Sequence, residues 1–195
     1  ITVLEFSRVL AGPWCGMMLA DLGAEVIKIE SFDGDDTRGL GPPFRDGLSA
    51  YFACCNRNKK SLAIDLGSAA ARPLIEALVR RADVVVENFR TGTAEKLGIG
   101  YEGLAAINPR LVYCAISAFG ESGPLARDPG YDPLIQAFTG IMSVTGHPDR
   151  PPARAGVSVI DMGTGMWSFI GTLAALYQRQ QTGQGARVSA SLMET

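Results

Sequence analysis

Three groups of residues in this chain have types and spacings that could do chemistry. The first centres on Asp161, in Val159-Ile160-Asp161-Met162-Gly163-Thr164-Gly165, where a long apolar, helix-like stretch begins. A carboxylate there has two readings. Asp is among the preferred helix caps, and it is also a competent nucleophile toward an activated acyl group once it is ionised and held in place. Gly163 and Gly165 weaken a helix where a cap should strengthen it, and they leave room for a ligand beside the backbone. The positive end of the helix is expected to keep the carboxylate ionised. The second group is the basic run Arg57, Asn58, Lys59 and Lys60. It reads either as a clamp for a phosphorylated group or as a solvated guard on an edge strand. The third is Asn88, Phe89 and Arg90, directly after a β-branched run. An amide, an aromatic face and a guanidinium suit a nucleotide base and its phosphates, and the same residues also make a plain strand-to-helix turn.

Other chemistries lack their parts. His147 is the single histidine and sits in the turn sequence Gly146-His147-Pro148-Asp149. Any triad through histidine would have to use it, and it is expected on a surface loop. One His with scattered Cys15, Cys54, Cys55 and Cys114 supplies no ordinary zinc ligand set, and four cysteines are too few for a disulfide scaffold of this length. No metal site is expected, and the cysteines read as reduced thiols in or near the core. Gly98, Gly100 and Gly103 spell G-x-G-x-x-G, but they follow the helical-looking residues 93–97 instead of a strand, so no dinucleotide site is expected there. With 18 Lys+Arg against 20 Asp+Glu, a net charge of -2, the chain lacks the basic excess of a nucleic-acid binder. Any anion must be held by local charge.

The elements that would position these groups follow from periodicity. The chain is 195 residues long, 47% hydrophobic and 19% charged, enough for one sizeable α/β core. Residues 3–6, 25–30, 61–65, 83–87, 111–117 and 186–192 read as strands, and residues 13–22, 69–81, 132–144 and 162–181 as helices. That alternation predicts βαβ units on a mostly parallel sheet with flanking helices. Such sheets bind ligands beyond the carboxyl ends of their strands, which here means the loops after Phe6, Glu30, Glu87 and Ser117. The long segments 31–47 and 120–130 are expected to be functional loops. The apolar stretch 162–177 carries Gly and Ser and reads as short for a membrane span. No charged-then-apolar leader precedes the first strand, so a cytoplasmic protein without a membrane partner is expected. The chain opens at Ile1 inside a strand-like run and is expected to be one part of a longer protein.

Taken in order, several strings resemble the class III CoA-transferases, the formyl-CoA transferase-like family that also holds the α-methylacyl-CoA racemases. They are Arg8-Val9-Leu10-Ala11-Gly12-Pro13, the run Leu22 through Glu30, Asn56-Arg57-Asn58-Lys59-Lys60-Ser61, Asp83-Val84-Val85-Val86-Glu87-Asn88-Phe89, Gly130-Tyr131-Asp132, Asp161-Met162-Gly163-Thr164-Gly165 and Thr182-Gly183-Gln184-Gly185. The resemblance implies that residues 1–195 form a CoA-binding, Rossmann-like large domain, the amino-terminal half of a two-domain fold found in interlocked homodimers. It implies coenzyme A or acyl-CoA and a carboxylic acid as substrates, with no tightly bound cofactor. It implies that Asp161 attacks the acyl-CoA, that Val9, Leu10 and Ala11 line the thiol end, and that Tyr131 lies near the acyl group. By the same carry-over, Leu62 and the Arg57-to-Lys60 loop lie near the nucleotide, and Asn88, Phe89 and Arg90 contact CoA.

Two positions depart from the pattern or divide the family. An Arg that often follows the strand ending at Glu30 is Ser31 here, with Arg38 as the expected substitute. Racemases carry His in a Gly-His-Asp string where this chain has Tyr131, whose phenol titrates too high for a ready base. The resemblance therefore favours CoA transfer, with an α-methylacyl-CoA racemase and a non-catalytic CoA-binding subunit as the alternatives. The loop around residues 34–44 resembles members that move CoA between dicarboxylic acids, such as succinyl-CoA to glutarate. There Arg38 or Arg154 would take a distal carboxylate bidentately.

Overall fold

β1 (Thr2–Glu5) is the strand from which the chain builds outward in both directions. In the computed structural model, which describes residues 1–195, it pairs in parallel with β2 (Glu25–Glu30) on one side and with β6 (Val84–Glu87) on the other. β5 (Lys59–Ala63) adds beyond β2, while β7 (Val112–Ser117) and β8 (Arg187–Ser191) add beyond β6. The result is a six-stranded, wholly parallel sheet in the order β5-β2-β1-β6-β7-β8. Its direction of growth reverses between β1 and β6. At such a switch point the loops leaving the two strands diverge and open a crevice at the carboxyl edge.

Side-chain alternation divides the core between the two faces. Val3, Val84, Val86, Val112 and Cys114 point to the side covered by α1 (Ala11–Asp21) and α7 (Val159–Thr182). Leu4, Val85, Tyr113 and Ala115 point to the side covered by α3 (Ala71–Val79) and α5 (Tyr101–Ile107). In α3 the buried residues Ala71, Ile75 and Val79 recur every fourth position, one stripe against the sheet. α1 stops where Gly23 takes φ 93°, a conformation that favours glycine.

Several local expectations shift. The strand expected from residue 61 starts at Lys59, and the single helix expected over 132–144 breaks at Gly140 (φ 86°) into α6 (Asp132–Phe138) and a 3₁₀ turn, Ile141–Val144. The loop 31–47 holds a 3₁₀ turn (Asp36–Gly39) and the first strand of a small hairpin, β3 (Phe44–Arg45) with β4 (Leu48–Ser49). That hairpin leads into α2 (Ala50–Asn56), which sequence periodicity does not reveal; Ser49 caps it by accepting from the Phe52 amide at 3.3 Å. The G-x-G-x-x-G string joins α4 (Thr93–Lys96) to α5, with Gly98 closing the first and Gly100 preceding the second.

α7 is 24 residues long and, by length and composition alone, long and apolar enough to cross a membrane, which the sequence reading did not anticipate. Its inner face carries buried Thr164, Ser168, Thr172 and Arg179 and packs on α1 and the sheet. Of the glycines in its first turns, Gly165 serves that packing and Gly163 lies against Thr195, where the sequence leads one to expect that they make room for a ligand. A Cβ at Gly165 would lie 2.6 Å from the Ala11 carbonyl oxygen and 3.0 Å from Trp14 Cβ, and one at Gly163 would lie 2.8 Å from Thr195 Cγ2. Gly165→Ala is therefore expected to push α7 off α1 and destabilise the protein by about 1–3 kcal/mol. Urea denaturation would read this as a lower midpoint with an unchanged slope; an unchanged midpoint would mean that the helix pair has room for the added methyl.

Candidate functional site

A cleft of about 390 Å³ lies at the carboxyl edge, between the loops that follow β1 and β6. That volume falls in the range of small-molecule sites. Into it the fold brings Val9, Leu10 and Ala11 from the turn into α1, Asn88, Phe89 and Arg90 from the turn after β6, Tyr131 from the residue before α6, and Asp161 from the first turn of α7. Residues distant in sequence thus share one wall because strand ends meet there. Arg8, Ser117 and Asp128 also line the cleft; none was named as a site residue, although Arg8 opens one of the family strings, Ser117 ends a strand whose loop was expected to meet a ligand, and Asp128 lies in the segment 120–130. No cluster of three or more His, Cys, Asp or Glu side chains is arranged to hold a metal ion.

The basic run lies elsewhere. Because β5 begins at Lys59, Arg57, Lys59 and Lys60 sit at the amino end of a parallel strand, away from the cleft. The guanidinium of Arg57 is paired with Asp21, and Lys60 Nζ is 2.5 Å from Glu25 Oε1. Lys59 is buried with its ammonium 2.8 Å from Glu5 Oε2, 2.8 Å from the Pro13 carbonyl and 2.9 Å from Asn56 Oδ1. Leu62 packs half-buried against the core. The structure thus gives these cations partners within the chain and places them at the edge of the sheet opposite the cleft, so it does not bring the expected phosphate clamp together with the cleft residues.

Arg38 is engaged in the same way. Its Nε and Nη2 bind Glu30 Oε2 and Oε1 at 2.9 and 2.7 Å, and its guanidinium lies 3.9 Å from the centre of the Phe52 ring. The fork expected to receive a substrate carboxylate already holds an internal one. Burial would raise the Glu30 pKa, but Arg38, the Ser61 hydroxyl and the Asp35 amide together bring it down to about 2. Asn88 is likewise engaged. Its Oδ1 accepts from the Arg8 amide at 2.9 Å and its Nδ2 donates to the Arg8 carbonyl at 2.8 Å, so its amide fixes the β1–α1 turn from within the cleft wall. The next residue, Val9, has φ 68°. A β-branched residue in this left-handed region costs roughly 1–3 kcal/mol and persists only where its surroundings enforce it.

Asp161 owes its freedom to Asp132. Asp132 Oδ2 accepts from the amides of Ile160 and Asp161 at 2.7 and 3.1 Å, so it caps α7 from 28 residues away in sequence. Its Oδ1 accepts from Gln136 Nε2 at 2.5 Å, and Gln136 Oε1 accepts from the Ala155 amide at 2.9 Å. Capping is thus done by a different carboxylate, and Asp161 lies within the first turn with its side chain at the cleft. The ionising effect expected of the helix end is opposed here. Burial first, and then the nearby charge of Asp132, push its pKa up to about 7.

A family model described as CoA-transferase family III matches residues 1–195. The chain belongs to that family. Among curated relatives, a succinate–glutarate CoA-transferase of Agrobacterium fabrum is 45% identical over 201 residues, covering all of this chain and 50% of the relative. An acetyl-CoA:oxalate CoA-transferase of Acetobacter aceti is 46% identical, again over all of this chain and 50% of the relative. The solved structure of a CAIB/BAIF family protein from Brucella suis superposes with a TM-score of 0.96 at 48% identity, covering all of this chain and 52% of that one. Rv3272 from Mycobacterium tuberculosis gives 0.93 at 37% identity, with 54% of that chain covered. The chain therefore spans about half the length of the family III proteins it matches.

A second hollow of about 290 Å³ shares Arg8 and Phe89 with the cleft and runs past Ser31, Gly34 and the segment 64–67 at the carboxyl ends of β2 and β5. Residues 57–62, expected near the nucleotide, do not line this hollow; residues 64–67 do.

The raised pKa of Asp161 has a stability consequence of definite sign. Its carboxyl holds a proton more tightly in the folded state, at about 7, than its ordinary value of 3.8, so ionisation works against folding. The cost is absent below about pH 4, grows up to about pH 7 and is constant above it. Asp161→Asn in the full-length protein is expected to be more stable than wild type at about pH 8 by roughly 2–4 kcal/mol. That advantage should shrink as the pH is lowered to about 5. Thermal melts at both pH values read it, and a pH-independent difference would mean that Asp161 titrates normally.

Proposed function

We propose that the protein containing this chain transfers coenzyme A from an acyl-CoA donor to a carboxylic acid acceptor, with Asp161 as the nucleophile. The observation that carries this reading is a half-buried carboxylate, free of capping duty, at the cleft where the switch-point loops of a family III chain converge. A carboxylate with a pKa of about 7 is partly ionised at neutral pH and more nucleophilic than an ordinary one.

In the proposed sequence an Asp161 oxygen attacks the thioester carbonyl carbon, the carbon–sulfur bond breaks, and CoA leaves as its thiolate, giving an aspartyl mixed anhydride. The thiolate then attacks the Asp161 carbonyl carbon and releases the donor acid as a carboxylate. The acceptor carboxylate attacks the resulting aspartyl-CoA thioester, expelling the thiolate and forming a second anhydride. Attack of the thiolate on the acceptor's carbonyl carbon releases new acyl-CoA and restores Asp161. Each bond formed is matched by one broken, and no net proton or electron is required.

Relatives named for succinate–glutarate and acetyl-CoA–oxalate transfer support a dicarboxylic acid as one of the two acids. Arg38 is unavailable for its distal carboxylate, and Arg90, at the cleft and without a salt bridge, is the better-placed cation. The hollow continuous with the cleft through Arg8 and Phe89 supports placing the nucleotide end of CoA there. Exposed Leu134, Phe138, Trp167 and Ile170 on α6 and α7 support the reading that the rest of the protein, or a second copy in an interlocked dimer, covers this face.

Full-length protein incubated with succinyl-CoA and no acceptor is expected to give an Asp161 hydroxamate with hydroxylamine, located by peptide mass spectrometry. Asp161→Ala should abolish the adduct and lower the transfer rate by ~10³-fold or more. If a panel of acyl-CoAs leaves Asp161 unmodified while α-protons exchange with solvent, the enzyme is a racemase.

A further inference from the structure

The turn between β1 and α1 is only a few residues long, and three successive residues in it, Ser7, Arg8 and Val9, are gripped by groups from other parts of the chain. The Ser7 carbonyl accepts from Lys28 Nζ at 2.8 Å, Arg8 is held through both backbone groups by Asn88, and the Val9 amide donates to Asp35 at 3.3 and 3.4 Å. Asp35 is itself fixed. Its Oδ1 accepts from the Thr37 amide and hydroxyl at 2.9 and 2.7 Å, its Oδ2 is 2.8 Å from Lys28 Nζ, and its amide donates to Glu30 at 2.8 Å. Lys28 is also 3.2 Å from Glu5 Oε1, and the other oxygen of Glu5 is 2.8 Å from Lys59. The side chains of these two ammonium groups and two carboxylates are 2% exposed or less.

We propose that Asp35 is a positioning residue for the reaction: anchored on Lys28, it holds Val9 in its left-handed conformation and so fixes the wall of Val9, Leu10 and Ala11 that shares the cleft with Asp161. The inference rests on the reading of that cleft as a CoA-transferase site. A valine at φ 68° would relax to negative φ if its amide were released. That rotation would swing Leu10 and Ala11, the start of α1, out of the wall. A turn needed only to connect a strand to a helix has no use for this conformation or for a buried four-charge support, since ion pairs buried to this degree add little to stability over apolar packing. The arrangement makes physical sense if the shape of the wall is what matters.

The test is a coupling measurement in the full-length protein with succinyl-CoA and glutarate, comparing Asp35→Asn in the wild-type and Val9→Gly backgrounds. Glycine adopts positive φ without enforcement, so it should partly uncouple the turn from Asp35. Asp35→Asn is expected to lower kcat by roughly 10- to 100-fold, the scale of a misplaced reacting group, with KM changed by less than about threefold. In the Val9→Gly background the same replacement should cost about fivefold less or better. An equal loss in both backgrounds, or no loss in either, would overturn the proposal. If Asp35→Asn does not fold because Lys28 is left unbalanced, Asp35→Glu, which keeps the charge and displaces the carboxylate, is read in the same two backgrounds. If the wild-type protein transfers no CoA, the functional reading fails on its own, and amide exchange then decides the clamp. Faster exchange at residues 7–11 in Asp35→Glu, with global stability intact, supports it; unchanged exchange refutes it.

Discussion

A parallel sheet has two chemically different edges, and that asymmetry governs this molecule. All six strands end on the same side, and only between β1 and β6 does the chain reverse its direction of growth. Loops leaving those two strands diverge, so the cleft opens there. Everything that reaches it must follow a strand's carboxyl end or be delivered by the first turn of a helix, as Asp161 is. Everything before a strand is carried to the opposite edge, whatever its charge. Arg57, Lys59 and Lys60 are basic enough to suit a phosphate, but β5 begins at Lys59 and they are turned toward Asp21, Glu5 and Glu25 instead.

This is also where the sequence was most and least legible. The six strands and the two long helices α1 and α7 follow from β-branched runs and apolar periodicity, because those signals are local and the same contacts that create them bury them. Asp161 stood out because a carboxylate among glycines at a helix start is unusual. Its state did not, since the residue that caps α7 and raises its pKa is Asp132, 28 positions earlier and brought in only by the fold. Arg38 shows the reverse case. A guanidinium in a polar loop looks available until the fold places Glu30 against it. α2 was hidden because its seven residues, with only three buried, carry too little periodicity to register.

Buried charge on the β2 side of the switch point is matched to a degree that contrasts with the cleft. Burial disfavours the Lys28 ammonium, yet Glu5 and Asp35 more than compensate and its pKa rises; for Lys59, burial prevails over Glu5 and its pKa falls. Burial likewise disfavours the Asp35 carboxylate, and Lys28 with the Thr37 amide and hydroxyl overcomes it, so its pKa is lowered. These groups hold one another in place and have little capacity left for a ligand. Rigidity is what such a set contributes.

Asp161 is the contrasting case. It is half-buried at the cleft, but no cation or donor offsets the burial it has, and its one charged neighbour is another carboxylate. Glu30, with Arg38 and two further donors, sits at about 2, and Asp161 at about 7. A carboxylate at 2 is always ionised, but its lone pairs are already bound and it is a poor nucleophile. One at 7 is ionised only part of the time near neutral pH, yet its electrons are uncommitted and more basic. Reactivity that scales with basicity, multiplied by the ionised fraction, is greatest when the pKa lies near the working pH. The fold reaches that point by withholding partners from one carboxylate while supplying them to the others, and the cap supplied by Asp132 is what allows Asp161 to stand at the start of a helix without being consumed by it.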